Sequence, residues 1–187
     1  MNAGKREENR EELFHLIRKN AFFKEKITLS SGKESDYYID ARRVTLTSRG
    51  AYLCARLMLD AVKNETYDAI GGPTLGADPL IGAVGVVSLQ DGKPLNTFII
   101  RKAPKAHGKQ QQIEGPLLSK GATVVLIDDV ATTGKAFLES IDVLTREGIR
   151  AAKALCIVDR QEGAAEALAA KGCKLISIFT AEEFLKS

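Results

Sequence analysis

The chain has 187 residues, of which 44% are apolar, 27% charged and only 6% aromatic, the size of one ordinary domain and a composition that excludes wholesale disorder. Twenty-seven Lys and Arg against twenty-four Asp and Glu leave a net charge of +3, too mild for a general nucleic-acid binder. The surplus is local: Arg101, Lys102, Lys105 and Lys109 fall in one short segment without an acid, which carries +4 while the rest of the chain sums to −1.

Residues 7–20 read as an amphipathic helix with Leu13, Phe14, Leu16 and Ile17 on one face. The runs 27–29 and 37–39 flank a Ser- and Gly-containing stretch and predict a hairpin. Ser48 is placed to cap a helix reaching about residue 64, with Tyr52, Ala55, Leu59 and Val62 inward. The chain then alternates. Strands are predicted at 67–70 (closed by Gly71, Gly72 and Pro73), 95–100, 123–127, 154–158 and 175–179. Helices are predicted at 77–89, 134–147 and 164–170. The β-branched run 123–127 has the character of a strand buried on both faces. This alternation implies an α/β fold with a mostly parallel central sheet flanked by helices. One domain spans residues 1–187: a small helix-and-hairpin hood over about 1–45 and a sheet core over about 46–187.

Cys54, Cys156 and Cys173 have no paired or metal-ligand spacing and sit in apolar stretches, so they read as small buried hydrophobes. That favours a reducing compartment. Residues 1–10 lack the apolar run of a signal peptide, and the longest weakly polar stretch, 79–89, is far short of a membrane span. The expectation is a soluble cytoplasmic protein with no membrane and no nucleic-acid partner.

Residues 124–136 carry the chemistry. A buried strand delivers Asp128 and Asp129 to its carboxyl edge, and Val130, Ala131, Thr132, Thr133, Gly134, Lys135 and Ala136 lead into a helix. A helix start offers free N–H groups to an anion, whereas carboxylates accept from hydroxyls such as those of a sugar. A phosphorylated ribose satisfies both ends; strand-end Asp and helix capping are the plain alternative. The segment is neither a P-loop nor a G-x-G-x-x-G turn.

Two hydrophobics, Asp-Asp and Thr-Thr-Gly at a strand–helix turn resemble the phosphoribosyl-diphosphate (PRPP) signature of the type I phosphoribosyltransferases, and the chain resembles the orotate-specific members nearly end to end. Residues 28–38 resemble their base-binding hairpin, residues 101–108 their catalytic loop, and Asp159-Arg160 the site of an orotate-binding arginine. The resemblance implies the type I phosphoribosyltransferase fold and transfer of phosphoribose from PRPP to orotate. It implies that Arg101, Lys102, Lys105 and His107 contact the diphosphate, with Lys105 and His107 reaching across a homodimer interface. Orotate is expected at Arg160, Thr132 and the backbone of Tyr38 and Ile39. Mg²⁺ is expected on diphosphate and ribose oxygens, with no residue assigned as its ligand.

Each feature also has a plainer reading: the basic segment a solvated charge run, Arg160 a surface pair with Asp159 or Glu162, and residues 71–76 either a diphosphate nest or a simple turn. The chain departs from the common pattern at Ser30 and around Leu75, where many or some members have Lys, and at Ala103, where Glu is frequent. A transferase for another base and a non-catalytic nucleotide sensor are the competing readings. Arg160 and the 28–38 hairpin argue against the first, and the confinement of basic charge to one loop argues against the second.

Overall fold

A computed structural model describes residues 1–28, 34–104 and 111–187, with the side chains of Ile27 and Thr28 outside the description. The hood comprises helix α1 (Ala3–Asn20) and strands β1 (Phe22–Phe23), β2 (Ile27–Thr28), β3 (Glu34–Ser35) and β4 (Tyr38–Ile39). Two helices follow, α2 (Arg42–Thr45) and α3 (Ser48–Ala61). The core then runs β5 (Ala69–Pro73), α4 (Asp78–Gln90), β6 (Asn96–Ile100), β7 (Ile113–Glu114), β8 (Thr123–Ala131) and α5 (Lys135–Arg146). It ends with β9 (Arg150–Asp159), α6 (Ala164–Ala169), β10 (Lys174–Thr180) and α7 (Ala181–Leu185).

The central sheet is six-stranded in the order β10-β9-β8-β5-β6-β7, parallel throughout except for the β6–β7 pair. From β5 the chain steps outward to β6 and β7, then returns to place β8 on the other side of β5. That reversal creates a crevice at the carboxyl ends of β5 and β8, where open α/β sheets bind ligands. Strand β8 explains its own sequence. Val125 and Ile127 pack into the core under α1, α3 and α4, while Val124 and Leu126 pack into the core under α5 and α6. Helix α5 buries Phe137, Ile141 and Leu144, as its periodicity requires.

Several boundaries differ from the expectations, each for a physical reason. The hairpin is not a single pairing: β2 pairs with β3, whereas Tyr38 and Ile39 pair with Phe23 and Phe22. Helix α3 is capped by the side chain of Thr47, which accepts from Gly50 N, and not by Ser48. Its buried face centres on Leu53, Cys54, Leu57 and Met58, which leaves Tyr52 39% exposed. Gly71 and Gly72 do not close β5 but form its interior. A Cβ on Gly71 would strike the carbonyl of Phe98, and one on Gly72 the carbonyl of Ile127, so glycine here serves close packing of neighbours. Strand β8 continues through the acidic pair to Ala131. The short β7, α2 and α7 carry too few residues to show a period. All three cysteines are free and buried, and burial pushes their thiols above the ordinary range. Among the described residues no helix is long and apolar enough to cross a membrane.

The hood is anchored by aromatic packing. Phe14 stacks on Phe184 of α7 at 4.6 Å, and Phe22 lies 5.8 Å from Phe184 and 5.7 Å from Tyr37. These contacts place the 34–39 segment beside the carboxyl end of β9.

Candidate active site

Asp128 and Asp129 lie near the carboxyl end of β8, beside the crevice. Asp128 is 7% exposed, and its Oδ1 accepts from the backbone N–H of Asp129 (2.9 Å), while Asp129 Oδ1 accepts from Val130 N–H (2.7 Å). Burial, then the neighbouring Asp129 carboxylate, holds Asp128 well above the usual carboxylate range. Burial also raises Asp129, opposed by local hydrogen bonds and by the Arg42 guanidinium. The pair resists carrying two charges until hydroxyl or cationic partners arrive.

The turn after β8 has the geometry of an anion cradle. Gly134 adopts φ +80°, and a Cβ there would meet Leu168 Cδ1 at 2.9 Å and Ala164 Cα at 3.2 Å. Only glycine fits this bend without strain. Leu138 N–H closes the first turn of α5 on Gly134 O (2.9 Å), and no side chain caps the helix. The amides ahead of Leu138 therefore lack intrahelical partners and carry the positive end of the helix dipole. A cleft of about 500 Å³ lies over them, lined by Asp128, residues 130–137, Glu139 and Lys102. Thr132 is half-buried, whereas Thr133, Lys135 and Ala136 are exposed; Lys135 pairs with Glu139 at 3.8 Å.

Residues 73–77 pass directly over the acids: a Cβ on Gly76 would collide with carboxylate oxygens of both Asp128 and Asp129. Thr74 Oγ1 donates to Asp78 Oδ2 (2.8 Å), its N–H donates to Ile100 O (3.0 Å), and Asp78 Oδ1 is buried without a partner among the described residues. A second cleft of about 490 Å³ joins Thr74 and Asp78 to Arg101, Lys102 and Ala103. Lys102 borders both clefts. Arg101 is exposed and pairs with Glu114 (3.3 Å), while its backbone N–H donates to Gln112 O (2.8 Å), closing the base of the 101–112 connection. Lys105 and His107 lie outside the described residues.

The third component sits on the adjacent strand. Arg160 N–H donates to Ala131 O (2.9 Å), so the arginine begins one residue from Thr132. Its guanidinium is 5% exposed, bonded to Glu162 Oε1 (2.8 Å) and Ser35 Oγ (3.1 Å), and 4.4 Å from the Tyr37 ring. Of the plainer alternatives, the pairing with Glu162 is present, with Arg160 buried and Glu162 partly so. Tyr38 is half-buried against Phe23, and the Ile39 side chain is core, 7% exposed. The hood side chains that meet Arg160 are Ser35 and Tyr37, not Tyr38. Nothing in the sequence singles out Arg42, Asp78 or Tyr37. Arg42 and Asp78 belong to no motif, and Tyr37 is separable from Tyr38 only by register.

Among the described residues no three His, Cys, Asp or Glu side chains converge on a metal position. Two hard carboxylates under mutual repulsion nevertheless suit a dication brought in on a diphosphate, which keeps substrate and water ligands.

The chain matches the phosphoribosyl transferase domain family over residues 47–186. It is 40% identical over 183 residues to the orotate phosphoribosyltransferase of Aquifex aeolicus strain VF5, covering 94% of this chain and 97% of that one. With the orotate phosphoribosyltransferase of Thermosynechococcus vestitus it shares 45% identity over 170 residues, 91% of this chain and 89% of that one. Among solved structures, Mycobacterium tuberculosis H37Rv orotate phosphoribosyltransferase in complex with PRPP superposes with a TM-score of 0.78 at 34% identity, over 94% of this chain and 98% of that one. Together with the acidic pair, the anion cradle and the buried arginine, these likenesses establish that the chain belongs to the phosphoribosyltransferase family, and within it to the orotate phosphoribosyltransferases.

Proposed function

We propose that the protein transfers the 5-phosphoribosyl group of PRPP to orotate, releasing diphosphate and forming orotidine 5′-monophosphate. One observation carries this reading: an arginine with a buried side chain is bonded through its backbone one residue ahead of an acid-flanked turn suited to an anion, at the ends of adjacent parallel strands. No simple phosphate site needs the arginine, and no simple carboxylate site needs the cradle.

The residues divide the substrates between them. The amides and hydroxyls of 132–136 take the 5′-phosphate. Asp128 and Asp129 accept from the ribose hydroxyls, which orients C1 toward the base. Arg160 takes the carboxylate that distinguishes orotate from uracil, with Thr132 and the backbone of Tyr38 and Ile39 bordering the ring. A ring nitrogen of orotate forms the new bond to C1 as the bond from C1 to the diphosphate oxygen breaks, and the electron pair leaves with diphosphate. Negative charge grows on that oxygen while the ribose becomes oxocarbenium-like. Arg101, Lys102, Lys105 and His107 stabilise the departing charge more than the ground state. Mg²⁺, when bound, would supply further charge neutralisation at the diphosphate, and Asp128 and Asp129 would hold its water shell.

The protein works in the cytoplasm as a homodimer, with Lys105 and His107 serving the partner's diphosphate. Three unbridged buried cysteines support a reducing compartment. Diphosphate release from PRPP and Mg²⁺ with orotate, uracil, hypoxanthine or no base tests the function. Turnover with orotate alone is expected. Turnover with uracil in place of orotate overturns the substrate, and none with any base overturns catalysis.

A further inference from the structure

Arg160 is held from several sides, and its strand position explains only the backbone contact. Nε donates to Glu162 Oε1 (2.8 Å), Nη2 donates to Ser35 Oγ (3.1 Å), and the Tyr37 ring lies 4.4 Å beneath the guanidinium. The Glu162 contact depends on an unusual turn. Gln161 adopts φ +59°, the sole non-glycine residue among those described with positive φ, and its N–H is tied to Asp159 Oδ1 (2.8 Å). Gly163 follows at φ +102°. Side chains rarely adopt such backbone, and here it turns the chain so that Glu162 returns onto the arginine two residues earlier. Ser35 is fixed as well: its hydroxyl donates to Tyr37 O (2.8 Å), which leaves a lone pair for Nη2.

A guanidinium offers carboxylates two bidentate edges, Nε with Nη2 or Nη1 with Nη2. On the first edge Glu162 accepts from Nε, while Nη2 bonds to Ser35. Nη1 has no partner among the described residues, and Nη2 retains a second N–H. We propose that Glu162 is a positioning residue for orotate recognition: it closes the Nε edge of Arg160, and with Ser35 setting the rotation it commits the Nη1/Nη2 edge to the substrate carboxylate. This deepens the proposed function and rests on it. There is an electrostatic corollary. With its charge offset by Glu162, Arg160 is a poor trap for anions in general and selects a planar carboxylate by geometry.

Steady-state kinetics of Glu162→Ala, Glu162→Gln and Ser35→Ala, with each substrate varied at saturation of the other, test the proposal. Glu162→Ala is expected to raise the orotate KM about tenfold or more, with the PRPP KM changed by less than about twofold. Glutamine keeps an acceptor for Nε, so Glu162→Gln should recover most of that loss. Ser35→Ala acts from the hood and should raise the orotate KM by about threefold or more; it decides the matter if the alanine variant at 162 does not fold. An unchanged orotate KM, equal rises in both KM values, or glutamine no better than alanine overturns the proposal. Wild-type protein inactive with orotate would instead sink the function on which it rests, and each preparation is assayed beside it.

Discussion

The backbone amide of Arg160 donates to the carbonyl oxygen of Ala131 at 2.9 Å, and this bond ties the arginine to the end of β8, directly ahead of the 132–134 turn. The β8–β9 ladder continues to Ala131 and Asp159, so the arginine is delivered by a central strand and not by a mobile loop. Sites built on strand ends hold their geometry better than sites built on loops.

Arg160→Ala should therefore separate the two substrates. A charge-assisted hydrogen bond contributes roughly 1.5–3 kcal/mol, so orotate KM should rise by about ten- to a hundredfold with PRPP binding near wild type. Arg160→Lys should recover little, because a point ammonium cannot reproduce two parallel donors. Kinetics in orotate beside calorimetric PRPP binding checks both variants; loss of PRPP binding equal to that of orotate would refute the division of labour.

Asp128→Asn should stabilise the ligand-free protein. Burial and the Asp129 charge raise the folded-state pKa of Asp128, so the native state holds a proton that the unfolded state releases more readily. Stability is then highest below the ordinary aspartate range and falls as pH climbs through the raised folded value. At neutral pH the buried acidic pair is a net cost that the neutral amide removes. Tm at pH 7–8 should rise by about 2–4 °C, the shift that 1 kcal/mol produces in a chain of this size, and the gain should vanish near pH 4. PRPP binding should fall sharply at the same time, a trade of stability for function. Thermal melts from pH 4 to 8 measure it, and a lower Tm at neutral pH would contradict the sign.

Gly134→Ala probes the cradle. The left-handed backbone and the 2.9 Å approach to Leu168 Cδ1 predict a loss of about 1–3 kcal/mol and misdirected α5 amides. Denaturant unfolding and PRPP titration should both register the change. Gly121→Ala is the control: it shares positive φ but meets nothing within 4 Å, so it should affect stability alone.

Long buried elements were legible in the sequence. The β-branched run of β8 and the Phe137–Ile141–Leu144 spacing of α5 each express a period that packing alone demands. The Asp128–Gly134 chemistry was legible because unlike ligand preferences lie within seven consecutive residues. What stayed hidden depends on long-range approach. Gly71 and Gly72 resemble a turn until Phe98 and Ile127 are seen against them. Tyr37 and Tyr38 are indistinguishable until β4 pairs with β1 and not with β2. Sequence leaves open whether Arg160 binds a ligand or forms a surface pair with Asp159 or Glu162, because nothing local reveals that Ser35 and Tyr37 cover it.

Mixed dimers test where the loop acts. Lys105→Ala and Asp129→Asn should each abolish most turnover as homodimers. If Lys105 serves the partner's site, a hybrid of the two variants holds one site with both residues intact and one with neither. Random reassortment then restores about a quarter of wild-type activity. If Lys105 serves its own protomer, every hybrid site lacks one residue and nothing is restored. Unfolding and refolding the variants together, followed by the diphosphate-release assay, distinguishes the arrangements. Recovery that follows the fraction of hybrid dimers establishes sharing, whereas its absence in verified hybrids rejects it.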